Sequence, residues 1–304
     1  MDDLLIYPTS RQQVGMKVFM AAKRGRLGRR LALSLLLWLP VASAQQTSLG
    51  ETGSATLSRT LSVGIAAGLM RFDTNYKITD RDSGRSVFLD AEGSMQLPEV
   101  KTIPLVYGYW RPSSKHGLGF GYFSVYRDSE VIAVDRNFGD LSLDGRATLT
   151  DDTSFYALTY NYTFFEDPRA LLFASFGIKA IDLEYQFDAA GVLSLDGELI
   201  ESGVYNKTLA QLTPIPLIGV DVWFALTERW SFGARAAFVA GEISDTRAVI
   251  TESSIRAKYY FNDNVSMFMG INYFDGDITL DDADVKTEIN YGFDGLLLGI
   301  DVGF

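Results

Sequence analysis

The sequence contains no cysteine and a single histidine, His116, in 304 residues. The first absence excludes disulfides, thiolate nucleophiles, zinc–thiolate centres and iron–sulfur clusters. Prolines number only 8. Beyond Ala44 no stretch shows the i, i+3, i+4, i+7 spacing of an amphipathic helix. Nor is there an apolar run of about 20 residues, the length that a membrane-crossing helix needs. Basic residues are in deficit: 27 Lys and Arg stand against 38 Asp and Glu, a net charge of −11. Such a chain does not suit nucleic acid, whose phosphates are neutralised by Lys and Arg.

Aromatic residues, in contrast, are abundant, with 20 Phe, 15 Tyr and 4 Trp beside 28 Gly. The first 44 residues read as a cleaved signal peptide. Lys17, Lys23, Arg24, Arg26, Arg29 and Arg30 precede an apolar run from Leu31 to Val41, which closes on Ala42-Ser43-Ala44. Translation starting at Met16 or Met20 would keep every feature of that signal. Cleavage after Ala44 removes seven of the 27 basic residues and two of the 38 acidic ones, leaving a charge near −16. Residues 45–59 are then a periplasmic N-terminal segment, and residues 60–304 the folded domain.

Within that domain the dominant pattern is alternation with period two, the mark of a strand whose two faces meet different media. Leu61, Val63, Ile65, Ala67 and Leu69 alternate with Ser62, Gly64, Ala66 and Gly68. Tyr156, Leu158, Tyr160, Tyr162 and Phe164 alternate with Ala157, Thr159, Asn161 and Thr163. Trp230, Phe232, Ala234, Ala236 and Phe238 alternate with Ser231, Gly233, Arg235 and Ala237. The pattern predicts ten strands, within a range of eight to twelve: about 60–79, 99–111, 117–134, 147–165, 170–187, 207–225, 230–242, 248–261, 264–280 and 286–304. Short turns ("RPSSKHG", "EDPR", "TER", "NDN") alternate with long acidic connections such as "RNFGDLSLDGRA" and "DAAGVLSLDGELIESGVYNK".

An even strand count, short turns on one rim and long loops on the other predict an all-β fold: a transmembrane antiparallel up-and-down β-barrel with both termini periplasmic. Tyr109, Tyr162, Phe164, Phe224, Trp230, Tyr259, Phe261 and Phe304 form one expected aromatic girdle, at the short-turn rim; Tyr126, Phe238 and Tyr273 belong to the other. On the fifth strand the apolar positions change parity near Ala180, from Phe176 and Ile178 to Ile181, Leu183, Tyr185 and Phe187. A β-bulge there is expected. An "IPL" triplet recurs at Ile103 and Ile215, on two strands that run the same way.

The last strand carries Leu296, Leu298, Ile300, Val302 and Phe304 on one face. This stripe with its terminal aromatic resembles the C-terminal targeting signal of Gram-negative outer-membrane β-barrel proteins. The resemblance is to the class, covers residues 60–304 and singles out no one family. It implies residence in the outer membrane, contact with lipid and lipopolysaccharide, and the barrel assembly machinery as a partner during biogenesis.

Ten strands is also the size of the omptin proteases, and lipid A deacylases and palmitoyltransferases are small barrels too. In those families a histidine on the outer half supports the reaction. His116 lies in the "RPSSKHG" turn on the opposite rim and reads as a solvated turn residue, so no catalytic residue is assigned. A hydrolase working through carboxylates alone is the least favoured reading.

Asp275, Asp277, Asp281, Asp282 and Asp284 are a weak calcium candidate, because they lack the spacing of the known calcium loops. Neither a metal nor a cofactor is expected. Parity places Lys179, Asp221, Arg235, Arg256, Lys258 and Asp301 in the lumen, as a charge network or a selectivity constriction. Gly64, Gly108, Gly119, Gly121, Gly177, Gly219, Gly233, Gly270, Gly299 and Gly303 are expected to line the periplasmic half of the lumen. The favoured function is a non-catalytic barrel that passes or binds a small solute. The alternative is a surface-interaction or envelope-stabilising barrel acting through its long loops.

Overall fold

In a computed structural model the described residues are 59–304 apart from 139–140, 196–197, 244–245 and 282. The expected signal peptide and the segment up to residue 58 lie outside them. Eleven strands form one antiparallel sheet: β1 (Leu61–Asp80), β2 (Ser86–Asp90), β3 (Val100–Trp110), β4 (His116–Phe138), β5 (Leu141–Glu166), β6 (Ala170–Leu195), β7 (Glu198–Ala225), β8 (Trp230–Ile243), β9 (Thr246–Tyr260), β10 (Val265–Asp281) and β11 (Val285–Gly303). Ten close into a ring through pairing of β11 with β1, and β2 is appended to the far end of β1. Both ends of the ring lie on the short-turn rim, where Phe304 N–H donates to Leu61 O at 2.8 Å and Thr60 N–H to Phe304 O at 3.0 Å.

Outward side chains near the short-turn rim are apolar and unburied: Ile65 is 65% exposed, Leu158 60%, Ile218 61% and Leu298 56%. Such an exposed belt is what lipid covers. On several strands it ends at matching heights. Outward residues change from Leu69 to Arg71, from Tyr156 to Ser154, from Tyr273 to Asp275 and from Leu296 to Asp294. The register aligns these positions, with Arg71 opposite Asp294, Tyr273 opposite Asp294 and Ser154 opposite Asp182.

The inner face inverts at the same row. Below it the inside is polar or small (Ser175, Lys179, Thr159, Asn161); above it the inside is apolar. This corrects the expected bulge near Ala180. Strand β6 keeps unbroken register there, and Ile181, Leu183, Tyr185 and Phe187 share the inward parity of Ser175 and Lys179. What flips is the medium on each side: lipid gives way to water outside, and a polar chamber gives way to a core inside.

Above the row the tube divides into two facing sheets. Pairing of β3 with β4 stops at Leu105–Phe123, and pairing of β7 with β8 stops at Ile218–Phe238. Beyond those points β4–β5–β6–β7 form one sheet, while β8–β9–β10–β11–β1, with the start of β3 and then β2 along its edge, form the other. The long acidic connections expected from sequence are largely strand, since β4 continues to Phe138 and β6 to Leu195. Aromatic rings bridge the two sheets. Tyr76 meets Tyr185 edge-on at 4.8 Å, and Phe155 meets Phe274, Tyr291 and Phe293, each at 5.7 Å.

The connection expected at 80–98 also folds into the core. Ala91, Met95 and Leu97 are fully buried, and Ala91 N–H donates to Thr74 O at 3.0 Å. Arg127 fastens this segment. Its Nη1 donates to Glu92, while its Nε and Nη2 donate to Asp151 Oδ2 at 2.9 and 2.6 Å. The guanidinium also lies 4.3 Å from the Phe72 ring. Burial alone would lower the Arg127 value, but Asp151 and then Tyr291 and Glu92 hold it above the ordinary range.

Candidate functional site

Below this core the barrel encloses a chamber of ≈ 360 Å³. Its ceiling is apolar, made by Met70, Ile103, Phe155, Leu217 and Phe293. Its walls are charged because alternate positions of the lower strands point inward. On β9 those positions are Glu252, Ser254, Arg256 and Lys258. Lys179 comes from β6, Asp221 from β7, Arg235 from β8 and Asp301 from β11. Towards the short-turn rim Arg59 lies across the inside, donating to Ser266 Oγ at 3.1 Å and Asn262 O at 3.3 Å.

All six lumen candidates therefore line one chamber. Lys179 pairs with Glu252. Arg235 pairs with Asp221 at 3.2 Å and with Glu252 at 3.7 Å. Ser175 also donates to Asp221. Asp301 takes Lys258, Ser266 Oγ at 2.5 Å and Arg59 at 3.9 Å. Asp221 and Arg235 are direct cross-strand neighbours. Arg235 and Arg256 are not level: Arg235 faces Ser254, and Arg256 faces Gly233, one inward row nearer the rim.

Four wall residues escaped the sequence reading, and one is Arg59, which was expected in the segment ahead of the barrel. Glu252 shares the parity of Arg256 and Lys258 on one strand, so the signal for it was present. Tyr107 and Tyr109 were hidden by ambiguity, since β3 carries apolar or aromatic residues on both faces. Tyr109 faces the chamber rather than the girdle, and Gly108 faces outward beneath Phe120, the reverse of the expected assignment. Glycines let the inward rings lie flat on the wall. A Cβ at Gly64 would stand 2.2 Å from Tyr107 Oη, and one at Gly299 would stand 2.4 Å from the Phe268 ring.

The remaining candidates lie elsewhere. His116 begins β4 instead of lying in the turn. It is exposed, with Nδ1 2.7 Å from Tyr160 Oη. The acidic run does not converge: Asp277 accepts from Asn290 at 3.0 Å, Asp275 from Tyr273 at 3.2 Å, and Asp281 pairs with Arg81. Asp284 offers its backbone carbonyl to Arg81, and Asp282 is outside the described residues. Among the described residues no group of three His, Asp or Glu could hold a metal. Leu296, Leu298, Ile300, Val302 and Phe304 face outward, with Phe304 70% exposed.

Compared by sequence, the chain matches no family model and no curated protein. Compared by fold, it is similar to the outer membrane protease OmpT of Escherichia coli at 13% identity and TM-score 0.54, covering 80% of this chain and 96% of that one. The toluene transporter TodX of Pseudomonas putida aligns at 11% identity and TM-score 0.31, over 83% and 92% of the two chains. The attachment invasion locus protein Ail of Yersinia pestis aligns at 8% and 0.28, over 78% and 98%. At these identities the likeness concerns fold, and only the first of the three superposes over most of its architecture. The chain has the all-β architecture of Gram-negative outer-membrane β-barrel proteins.

Proposed function

We propose that this chain is an integral outer-membrane barrel that binds a small solute in a chamber closed on its outer side. In this reading residues 1–44 are removed on export, the short-turn rim and both termini face the periplasm, and the two projecting sheets stand outside the cell. Lipid and lipopolysaccharide cover the belt around Leu158 and Ile218. One observation carries the reading: the outer half is filled by a packed aromatic core directly above the ≈ 360 Å³ chamber. Small-molecule pockets run from about 300 to 1,000 Å³, so the volume suits a ligand, while the core opposes passage.

Planar-bilayer recording of the purified protein tests this. Long closed intervals without stable conductance steps are expected, and a steady ohmic conductance would overturn the closed-chamber reading. Because the chain has no cysteine, single cysteines can report access. Ser254→Cys should react with a small maleimide, and Leu183→Cys should stay protected.

The surface-interaction reading draws on a different feature. Hairpins β4–β5 and β6–β7 continue well past the boundary row and show water a polar outer face, including Asp152, Glu184 and Gln186. Binding of whole cells to host or neighbouring surfaces that vanished on trimming these hairpins, with the chamber intact, would favour it. A catalytic role has the weaker support, since His116 pairs with Tyr160 on the outer wall at the short-turn rim.

A further inference from the structure

We infer that the chamber takes a small organic anion, a carboxylate carried on an apolar body. This rests on the closed-chamber reading and adds the chemistry of its ligand. The walls hold five cations (Arg59, Lys179, Arg235, Arg256, Lys258) against three carboxylates (Asp221, Glu252, Asp301), an excess of two positive charges inside a strongly acidic protein. Each carboxylate is engaged by at least one cation of the wall. Arg256 is the exception among the cations. It makes no ion pair or hydrogen bond to the described residues, and its guanidinium carbon lies 5.6 Å from the centre of the Phe268 ring.

The unsatisfied groups point the same way. Five buried polar atoms on the chamber wall lack a hydrogen-bond partner: Nε of Arg59, Arg235 and Arg256, and the hydroxyls of Tyr107 and Tyr109. Guanidinium nitrogens only donate and phenols donate readily, whereas each chamber carboxylate already faces a cation of the wall. A wall with spare donors and spare positive charge is completed by a ligand that brings acceptors and negative charge. No carboxylate of the wall pairs with Arg256, so an anion there supplies the partner that the wall does not. The planar guanidinium fork suits a carboxylate in particular. Above it, the apolar ceiling of Met70, Ile103, Phe155 and Phe293 would cover a non-polar body.

The test is calorimetric titration of the full-length protein in detergent with benzoate, with neutral benzamide as its near-isostere. Benzoate should bind at least tenfold more tightly than benzamide, the step expected from charge-assisted hydrogen bonds of about 1.5–3 kcal/mol. Arg256→Gln should weaken benzoate by a similar factor and leave benzamide unchanged. Its thermal stability should match or exceed that of the parent, because it removes an unpaired charge; this separates lost binding from lost folding. Equal affinity for the two probes, absence of benzoate binding, or full benzoate affinity in Arg256→Gln would each overturn the inference. Equal affinity would still leave the closed chamber standing, which falls only on the conductance result.

Discussion

Replacing Asp151 by Asn should expose how strongly the outer core depends on one buried ion pair. Asp151 and the Arg127 side chain are both fully buried. Oδ2 of Asp151 accepts two guanidinium hydrogen bonds at 2.9 and 2.6 Å, and Oδ1 accepts from Thr153 at 2.5 Å. Glu92 and Thr74 remain as partners of Arg127 in the variant, but Glu92 is the more exposed of the two carboxylates. Removing one member of a buried pair costs about 3–5 kcal/mol, chiefly because the other charge is left without compensation. The loss should therefore be near the lower end of that range, and Asp151→Ala should lie higher because it adds a cavity. Exchanging both residues, Arg127→Met with Asp151→Asn, should recover much of it, giving a favourable coupling term in the cycle. Urea unfolding in detergent, followed by tryptophan fluorescence and heat-modifiable migration, measures all four members. A cost below about 1 kcal/mol for Asp151→Asn, or a double variant as unstable as the single, would refute the claim that water is excluded from this site.

Three other outcomes follow from the same geometry. Leu158→Arg, on the lipid face, should destabilise the folded barrel in vesicles by about 2–4 kcal/mol, whereas Thr159→Arg enters the chamber and should cost less; equal costs would reverse the assignment of faces. Deleting Phe304 removes a side chain worth at most about 1.5–3 kcal/mol, so refolding in detergent should stay near normal while the level in the outer membrane of cells drops sharply; unchanged cellular levels would reduce Phe304 to one more lipid-facing residue. On the outer part of β11, burial would raise the Glu288 carboxyl, but hydrogen bonds from Lys286 and Lys77 at 3.0 Å outweigh it and hold the group below its usual range. That contribution is present above the ordinary carboxylate range and lost as pH falls through the lowered value, so Glu288→Gln should flatten the acid limb of a melting curve against pH; an unaltered limb would remove the assignment.

The lower half of the barrel was legible because lipid imposes a simple rule on each strand: every second residue is apolar and the others are free to be small or polar. Ten ring strands and four short turns follow from that rule. The upper half was misread because its rule is the opposite one, water outside and a core inside, and a single strand cannot say whether its backbone or its surroundings have changed. The clue lay in several strands together. Arg71, Asp182, Asp275 and Asp294 each end an outward apolar stripe, and all four begin an equally regular polar one. A coincidence of bulges at one height on four strands is far less economical than one change of medium. Strand β2 and the buried 91–97 segment were out of reach for another reason. Their partners, Thr74 on β1 and Arg127 on β4, are held by non-local contacts that no local periodicity encodes.

The repeated triplet gains a physical meaning from the same division. Ile103-Pro104-Leu105 sits where β3 parts from β4, and Ile215-Pro216-Leu217 sits where β7 parts from β8. A ring of ten uniformly paired strands leaves an interior that side chains nearly fill, with little room for a cluster of phenylalanines and tyrosines. Opening the ring along two seams lets its halves separate towards the spacing of about 10 Å at which sheets pack face to face. Proline suits those seams, since it offers no N–H to a neighbouring strand and is tolerated only where that neighbour is absent. In each triplet the residues flanking proline, Ile103 with Leu105 and Ile215 with Leu217, turn inward and meet the core or the ceiling of the chamber. The device that ends strand pairing thus also supplies the apolar cover. The charged chamber below and the sealed core above are two results of one change in the sheet.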